Sequence, residues 1–246
     1  MLFDFFKKKN PISELNFSSL KTDMHSHIIP GIDDGAQTME QSITLIRKLK
    51  DLGFTKIVTT PHIMADYYRN TPDIIKAGLD DVRAELQLQS IDMDIDAAAE
   101  YYLDETFEAK LDKGEILTFS DNYLLFELSF VNPPHNLEYL IKKMNDKGYK
   151  PILAHPERYS YFTNGLDDYY RIKEYGCYFQ LNTISLIGYY DKYSQRLAKE
   201  LLNSSMIDFL GSDMHHTKHA SALQESLSSK FVIAALQDGN FMNEVL

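Results

Sequence analysis

Seven short apolar runs alternate with helical patterns along this chain, and that alternation leaves few folds open. The runs lie at 21–27, 56–60, 94–99, 123–128, 150–154, 178–182 and 207–211. Between them, apolar residues recur at helical spacing near 38–51, 72–89, 104–113, 136–147, 165–175 and 191–204, with one or two further helices expected after Ala220. Thr38 ahead of Gln41, and Thr71 with Pro72 and Asp73, supply helix starts. Gly53, Gly148 and Gly176 supply helix ends. Repeated strand–helix units imply a parallel α/β sheet, and within 246 residues a closed barrel is more economical than an open sheet. No repeat, low-complexity tract or Pro/Ser-rich linker divides the chain. The expectation is a single domain over 21–246, preceded by an N-terminal arm at 1–20.

The polar residues at the ends of these runs carry the chemistry. Thr22 to His27 closes on His25-Ser26-His27, with Asp34 seven residues later. Lys56 to His62, Asp94 to Glu100, Lys150 to His155 and Ile207 to Asp213 with His215 each end on a carboxylate or imidazole. Alternate residues of a strand share a face, so His25 with His27, and Asp213 with His215, are expected to project together. In parallel barrels, sites gather at the C-terminal ends of the strands, where all these residues fall on this reading. Glu100 and Glu127 end apolar strands, where an unpaired carboxylate would be costly to bury, and a cation removes that cost. Imidazole and carboxylate sets take zinc, manganese or iron.

A formal net charge of −11 argues against nucleic acid as a partner. Two or three divalent cations add about four to six positive charges locally, enough to attract an anionic substrate. No apolar run is long enough to span a membrane. The start, Met1 to Lys9, has its charges after its apolar residues, the wrong order for a secretory signal. Phe3, Phe5 and Phe6 ahead of three lysines are read as a short arm on the domain rather than a membrane contact. The single cysteine, Cys177, rules out an internal disulfide and fits a reducing cytoplasm. With no arginine in the ten residues after it, it lacks a thiol phosphatase's phosphate cradle, and is read as core. Asp33 is read as a turn residue, His135 as solvated, and His216 and His219 as surface residues.

Asp23-Met24-His25-Ser26-His27, Asp33-Asp34-Gly35, Thr60-Pro61-His62, Ala99-Glu100, Phe126-Glu127-Leu128, Ala154-His155-Pro156-Glu157-Arg158-Tyr159 and Ser212-Asp213-Met214-His215 resemble the PHP superfamily. Within it they resemble the manganese-dependent bacterial protein-tyrosine phosphatases of capsule and exopolysaccharide operons. The resemblance spans residues 21 to about 230. It implies a PHP-type distorted (β/α)7 TIM-like barrel and three divalent metals, manganese foremost, with iron or zinc as alternatives. It places His25, His27, Glu100 and Asp213 on the first metal, with Glu100 bridging to a second that Glu127 and His155 complete. Asp34, His62 and His215 fall to the third. Arg158 matches a phosphate-contacting arginine. A second arginine of the family is replaced here by Ala220, which leaves Lys218 and His219 as the nearby candidates for substrate contact.

The activity implied is hydrolysis of phosphotyrosine by attack of a metal-bridging hydroxide. The partner implied is a phosphotyrosine protein, a bacterial tyrosine kinase of polysaccharide synthesis. Two other readings fit the same ligands: a histidinol phosphatase or other small-molecule phosphomonoesterase, and a non-catalytic PHP binding or regulatory protein. The Ala99-Glu100-Tyr101-Tyr102 and Ala154-to-Tyr159 runs favour the tyrosine phosphatase.

Overall fold

Apolar strands, buried along most of their length, build the centre of the molecule. The computed structural model describes residues 15–246. In chain order the elements are β1 (Thr22–Asp23), α1 (Met39–Asp51), β2 (Lys56–Thr59), β3 (His62–Ile63), α2 (Pro72–Leu88), β4 (Asp94–Ala97) and β5 (Glu100–Tyr102). Then follow α3 (Phe107–Lys113), β6 (Tyr123–Glu127), α4 (Leu137–Asp146), β7 (Lys150–Ala154), α5 (Asp167–Glu174), β8 (Tyr178–Asn182), α6 (Lys192–Asn203), β9 (Phe209–Gly211), α7 (Thr217–Ser226) and α8 (Lys230–Asp238). All pairings between strands are parallel, in one sheet of order β1-β2-β4 and another of order β3-β5-β6-β7-β8-β9. The fold is mixed α/β in a single domain, as the alternation implies.

The helices start where the capping residues say. Thr38 accepts the Gln41 amide at 3.2 Å, and Thr71 accepts that of Ile74 at 3.3 Å. Ile43, Ile46 and Leu49 of α1 recur at helical spacing and are buried. In β6 all five residues are buried, the mark of a strand covered on both faces. Helix α3 begins at Phe107, later than the 104 expected, because the Asp104 carboxylate takes the Thr106 and Phe107 amides and holds a turn there. Helix α7 begins at Thr217, so Ala220 lies inside it: the His216 side chain caps the start by accepting the His219 amide.

Three strand expectations are corrected. The run at 21–27 is strand only over Thr22–Asp23. Beyond it, Ser26 forms one parallel bridge with Met214, which joins the β1 edge of one sheet to the β9 edge of the other. His62 and Glu100 lie just beyond the C-terminal ends of β2 and β4, but each opens a further short strand that was not expected, β3 and β5, paired with each other in register. The chain passes from one sheet to the other at Thr60-Pro61 and Ala98-Ala99, where Pro61 has no amide to continue the ladder. Asp213 has a left-handed backbone, φ 49°, so strand alternation does not bring it to His215.

Part of the segment assigned to the arm packs into the domain. Phe17 is fully buried and stacks on Phe54 with ring centroids 5.3 Å apart. Phe3, Phe5 and Phe6 lie outside the described residues. Among the described residues, no helix is long and apolar enough to cross a membrane.

Candidate metal centre

Two backbone hydrogen bonds assemble the centre's floor. The Asp213 amide donates to His25 O at 2.8 Å, and the His27 amide donates to Met214 O at 2.8 Å. These lock the H-x-H segment against the D-x-H segment. Asp23 reinforces the join, because its buried carboxylate accepts the Ser212 amide at 2.9 Å and the Ser212 hydroxyl at 2.7 Å. Burial pushes that carboxyl up to about 6. Gly35 lies so close to His27 that a Cβ would fall 2.0 Å from His27 O. Only glycine permits that turn, which carries Asp34 to the rim.

All nine carboxylate and imidazole candidates converge. His27, Asp34, His62 and His215 form one group; His25, Glu100 and His155 a second; His25, His27 and Asp213 a third; His62, Glu100 and Glu127 a fourth. Within each group the ligand atoms lie within 4.8 Å of one another. The groups overlap through His25, His27, His62 and Glu100, so they cut across the three-site partition that the family pattern implies. Glu100 is central. Its Oε2 lies 3.1 Å from His25 Nε2, 3.3 Å from His27 Nε2 and 3.2 Å from His62 Nδ1, while Oε1 lies 3.1 Å from His155 Nε2. Glu127 Oε1 is 3.1 Å from His62 Nδ1. Asp34 Oδ1 stands 3.5 Å from both His62 Nε2 and His215 Nε2.

Side chains behind these residues settle which nitrogens face inward. His25 Nδ1 lies 2.7 Å from Gln180 Oε1, and His27 Nδ1 lies 2.8 Å from Asp33 Oδ2. Each acceptor takes the Nδ1 proton, leaving both Nε2 lone pairs directed inward, 3.3 Å apart. Two lone pairs facing each other across a buried, acid-lined space need a cation between or beside them. Bond lengths of 2.0–2.2 Å put neighbouring ligand atoms of one cation roughly 3–3.5 Å apart, the spacing found here. His155 Nδ1 is buried without a partner among the described residues.

Electrostatics agree. Burial pulls His25 and His27 down, but Glu100 and Asp213 beside the one, and Asp33 and Glu100 beside the other, carry both above the ordinary value. His62 is carried to about 9, Glu100 outweighing its burial. Burial opposes ionisation of Glu100, yet His25 and His62 hold it well below the carboxylate range. Without metal this cluster favours protons on its imidazoles, and a divalent cation supplies the same positive charge in their place.

A cavity of about 380 Å³ opens onto the ligands. Met64, Tyr68, Phe130 and Tyr190 line its other walls, together with Arg158, His216 and His219. Arg158 is carried by the short 3-10 turn Pro156–Arg158, which starts at His155, another left-handed residue, φ 34°. Strain of this kind gathers at functional sites. The neighbouring Glu157 is not Arg158's ion partner. It is buried and accepts the Asn182 amide and the Ser185 hydroxyl.

Of the two residues near the missing arginine, His219 is buried and lines the cavity, which corrects its reading as a surface residue. Burial lowers it to about 4, and its Nδ1 accepts the His215 amide at 3.2 Å, so its Nε2 carries the proton. Lys218 is exposed and stands outside the cavity wall, and His216 is exposed at its edge. His135 is exposed, as expected. Cys177 is buried away from the cavity, and burial pushes its thiol up, so it is the core residue expected.

Sequence reasoning missed Gln180 and Asn182, two polar residues on successive inward positions of apolar β8. That alternation was the available signal. Asn182 Nδ2 donates to Asp213 Oδ2 at 2.7 Å. It missed Asp33's part as well: the residue does form the turn, accepting the Gly35 amide, but it also holds His27 and accepts the His62 amide.

Comparison with known proteins adds independent findings. The family described as "Capsular polysaccharide synthesis, CpsB/CapC" matches residues 21–231. Tyrosine-protein phosphatase YwqE of Bacillus subtilis (strain 168) is 30% identical over 197 residues, 80% of this chain and 78% of the relative. A putative tyrosine-protein phosphatase, CapC of Staphylococcus aureus, is 26% identical, with 78% and 76% covered. Tyrosine-protein phosphatase CpsB of Streptococcus agalactiae is 28% identical, with 79% and 82% covered. A structure from work on YwqE of Bacillus subtilis and CpsB of Streptococcus pneumoniae, termed unique metal-dependent tyrosine phosphatases, matches with TM-score 0.78 and 28% identity. It covers 92% of this chain and 90% of that one. A lactonase from Listeria monocytogenes, 15% identical with TM-score 0.52, shares the fold alone.

Proposed function

The chain belongs to the capsular polysaccharide synthesis CpsB/CapC family, and on that premise we propose that it is a metal-dependent protein-tyrosine phosphatase of capsular or exopolysaccharide synthesis. The observation that carries the reading is the convergence of nine ligand-type side chains beneath a cavity whose wall holds Arg158. His25, His27, Glu100 and Asp213 would hold a first cation. Glu100 would reach a second with Glu127 and His155, and Asp34, His62 and His215 would hold a third. Supporting a bridging role for Glu100, its two oxygens face different histidines. Manganese suits a set of imidazole and carboxylate without thiolate, and iron and zinc suit it too. Divalent cations bound there would lower the pKa of water and neutralise charge on the phosphoryl oxygens.

The remaining work falls to this chain's own residues. Arg158 directs N–H groups at the non-bridging oxygens as charge develops on them. His219 stands in for the absent arginine at Ala220, as a neutral donor from the cavity wall, whereas exposed Lys218 does not reach it. Tyr68 and Met64, on the cavity wall, accommodate the substrate's ring. A phenol leaves with a pKa of about 10, so no dedicated acid is required. We read the two sheets, joined at Ser26–Met214, as a PHP-type distorted (β/α)7 barrel with this site at its mouth. The substrate is a phosphotyrosine protein, a bacterial tyrosine kinase of polysaccharide synthesis, met in the cytoplasm.

The test is a rate comparison on manganese-loaded protein with a phosphotyrosine peptide, a phosphoserine peptide and histidinol phosphate. The highest kcat/KM on the phosphotyrosine peptide is expected. A preference for histidinol phosphate would assign the site to a small-molecule phosphomonoesterase. No turnover on any of the three would make the protein a binding or regulatory domain.

A further inference from the structure

Among the described residues, Arg158 is held by ring faces and not by hydrogen bonds. Its guanidinium carbon lies 4.5 Å from the Phe130 ring centroid and 4.2 Å from that of Tyr190. Phe130 comes from the loop after β6, Arg158 from the turn after β7, and Tyr190 from the loop ahead of α6. Among the described residues the guanidinium donates no hydrogen bond. Its ion-pair contact is Asp213 Oδ2 at 3.5 Å, longer than an ordinary N–H···O bond. Yet the side chain is only 26% exposed. A mostly buried cation with its donors unused is poised for an anion that the protein itself does not supply.

Stacking has a geometric consequence here. Aromatic faces restrain the guanidinium plane while leaving its N–H groups, which point outward in that plane, unused. A carboxylate partner would restrain it as well, but by occupying those same donors. Both rings are themselves anchored. Phe130 stacks on Tyr159 with centroids 5.6 Å apart. The Tyr190 hydroxyl accepts from Asn182 Nδ2 at 3.1 Å and donates to Asp213 Oδ2 at 3.3 Å.

Resting on the phosphatase reading above, we propose that Phe130 and Tyr190 are positioning residues: an aromatic clamp that orients Arg158 toward the phosphoryl group. They act through Arg158 and not on the metals or on the substrate's ring.

A double-mutant cycle tests this. Phe130→Leu and Tyr190→Leu are each measured alone and combined with Arg158→Ala, with kcat/KM on a phosphotyrosine peptide and bound metal as readouts. Tyr190→Phe keeps the ring face and serves as the conservative variant. Each Leu variant, assayed at saturating metal, is expected to lose roughly 5- to 30-fold in kcat/KM, the scale of a partly desolvated cation–π contact. In the Arg158→Ala background the same changes should have almost no further effect, and Tyr190→Phe should recover most of the Tyr190→Leu loss. Equal losses with and without Arg158 would overturn the clamp and place the rings on the substrate or the scaffold. Unchanged kcat/KM in both Leu variants would also overturn it. Inactivity of the wild-type protein on phosphotyrosine would instead defeat the functional reading on which the clamp rests.

Discussion

The carbonyl oxygen of His25 accepts the Asp213 amide at 2.8 Å, so two ligand-bearing segments from opposite ends of the domain share one rung of backbone. That rung fixes the spacing of two proposed ligands without involving their side chains. Substituting a ligand should therefore leave the floor intact and change only the metal held. Glu100 faces two groups of ligands, whereas Asp34 faces one. Glu100→Ala is expected to lose at least two metals and Asp34→Ala mainly one, counted by elemental analysis of folded protein. Equal counts would refute the central place given to Glu100.

Gln180 touches no proposed metal but fixes the His25 tautomer through its 2.7 Å contact with Nδ1. Gln180→Leu should lower metal affinity by roughly 10–100-fold, the usual effect of losing a partner behind a ligand. Metal titration by calorimetry reads this directly. Affinity equal to the wild-type protein's would mean the tautomer is held by something else.

The contrast between Gln180 and His25 shows what a sequence can reveal. His25, His62, Glu100 and the other candidates were legible because their chemical types recur after successive apolar runs in one order. The strands were legible as well, since burial on both faces makes them continuous apolar runs. Gln180, Asn182 and Asp33 were not, because an ordinary polar residue becomes a ligand's support only through register and tertiary approach. The breaks at Pro61 and Ala98-Ala99, which turn two expected strands into four, depend on a change of partner strand that no local pattern encodes. The left-handed Asp213 was hidden for the same reason. Phe130 and Tyr190 meet Arg158 from separate loops, and only the fold brings them together.

Glu157 gives the protein a pH-dependent stability. Burial raises its carboxyl from 4.5 to about 7, outweighing its bonds from Ser185 and Asn182. The folded state then holds a proton more tightly than the unfolded chain between those values. Its contribution is fully present below about pH 4.5 and is lost as pH rises through about 7. The loss is at most about 3 kcal/mol, at 1.36 kcal/mol per unit. Glu157→Gln cannot ionise, so its stability relative to wild type should rise between pH 5 and pH 8 in urea unfolding. A pH-independent difference would show that Glu157 stays ionised.

Cys177 should be dispensable for turnover. It is buried, and burial holds its thiol protonated, so it offers no nucleophile. Cys177→Ala is expected to keep wild-type kcat/KM on a phosphotyrosine peptide. An inactive variant that is folded and metal-loaded would point to thiol chemistry.

The most direct test strips the protein with a chelator, measures hydrolysis of a phosphotyrosine peptide, and repeats the assay after manganese is returned. The nine converging candidate ligands predict no turnover in the stripped protein and recovery on readdition, with bound metal rising in step. Full turnover in protein shown to be free of metal would contradict the account at its centre.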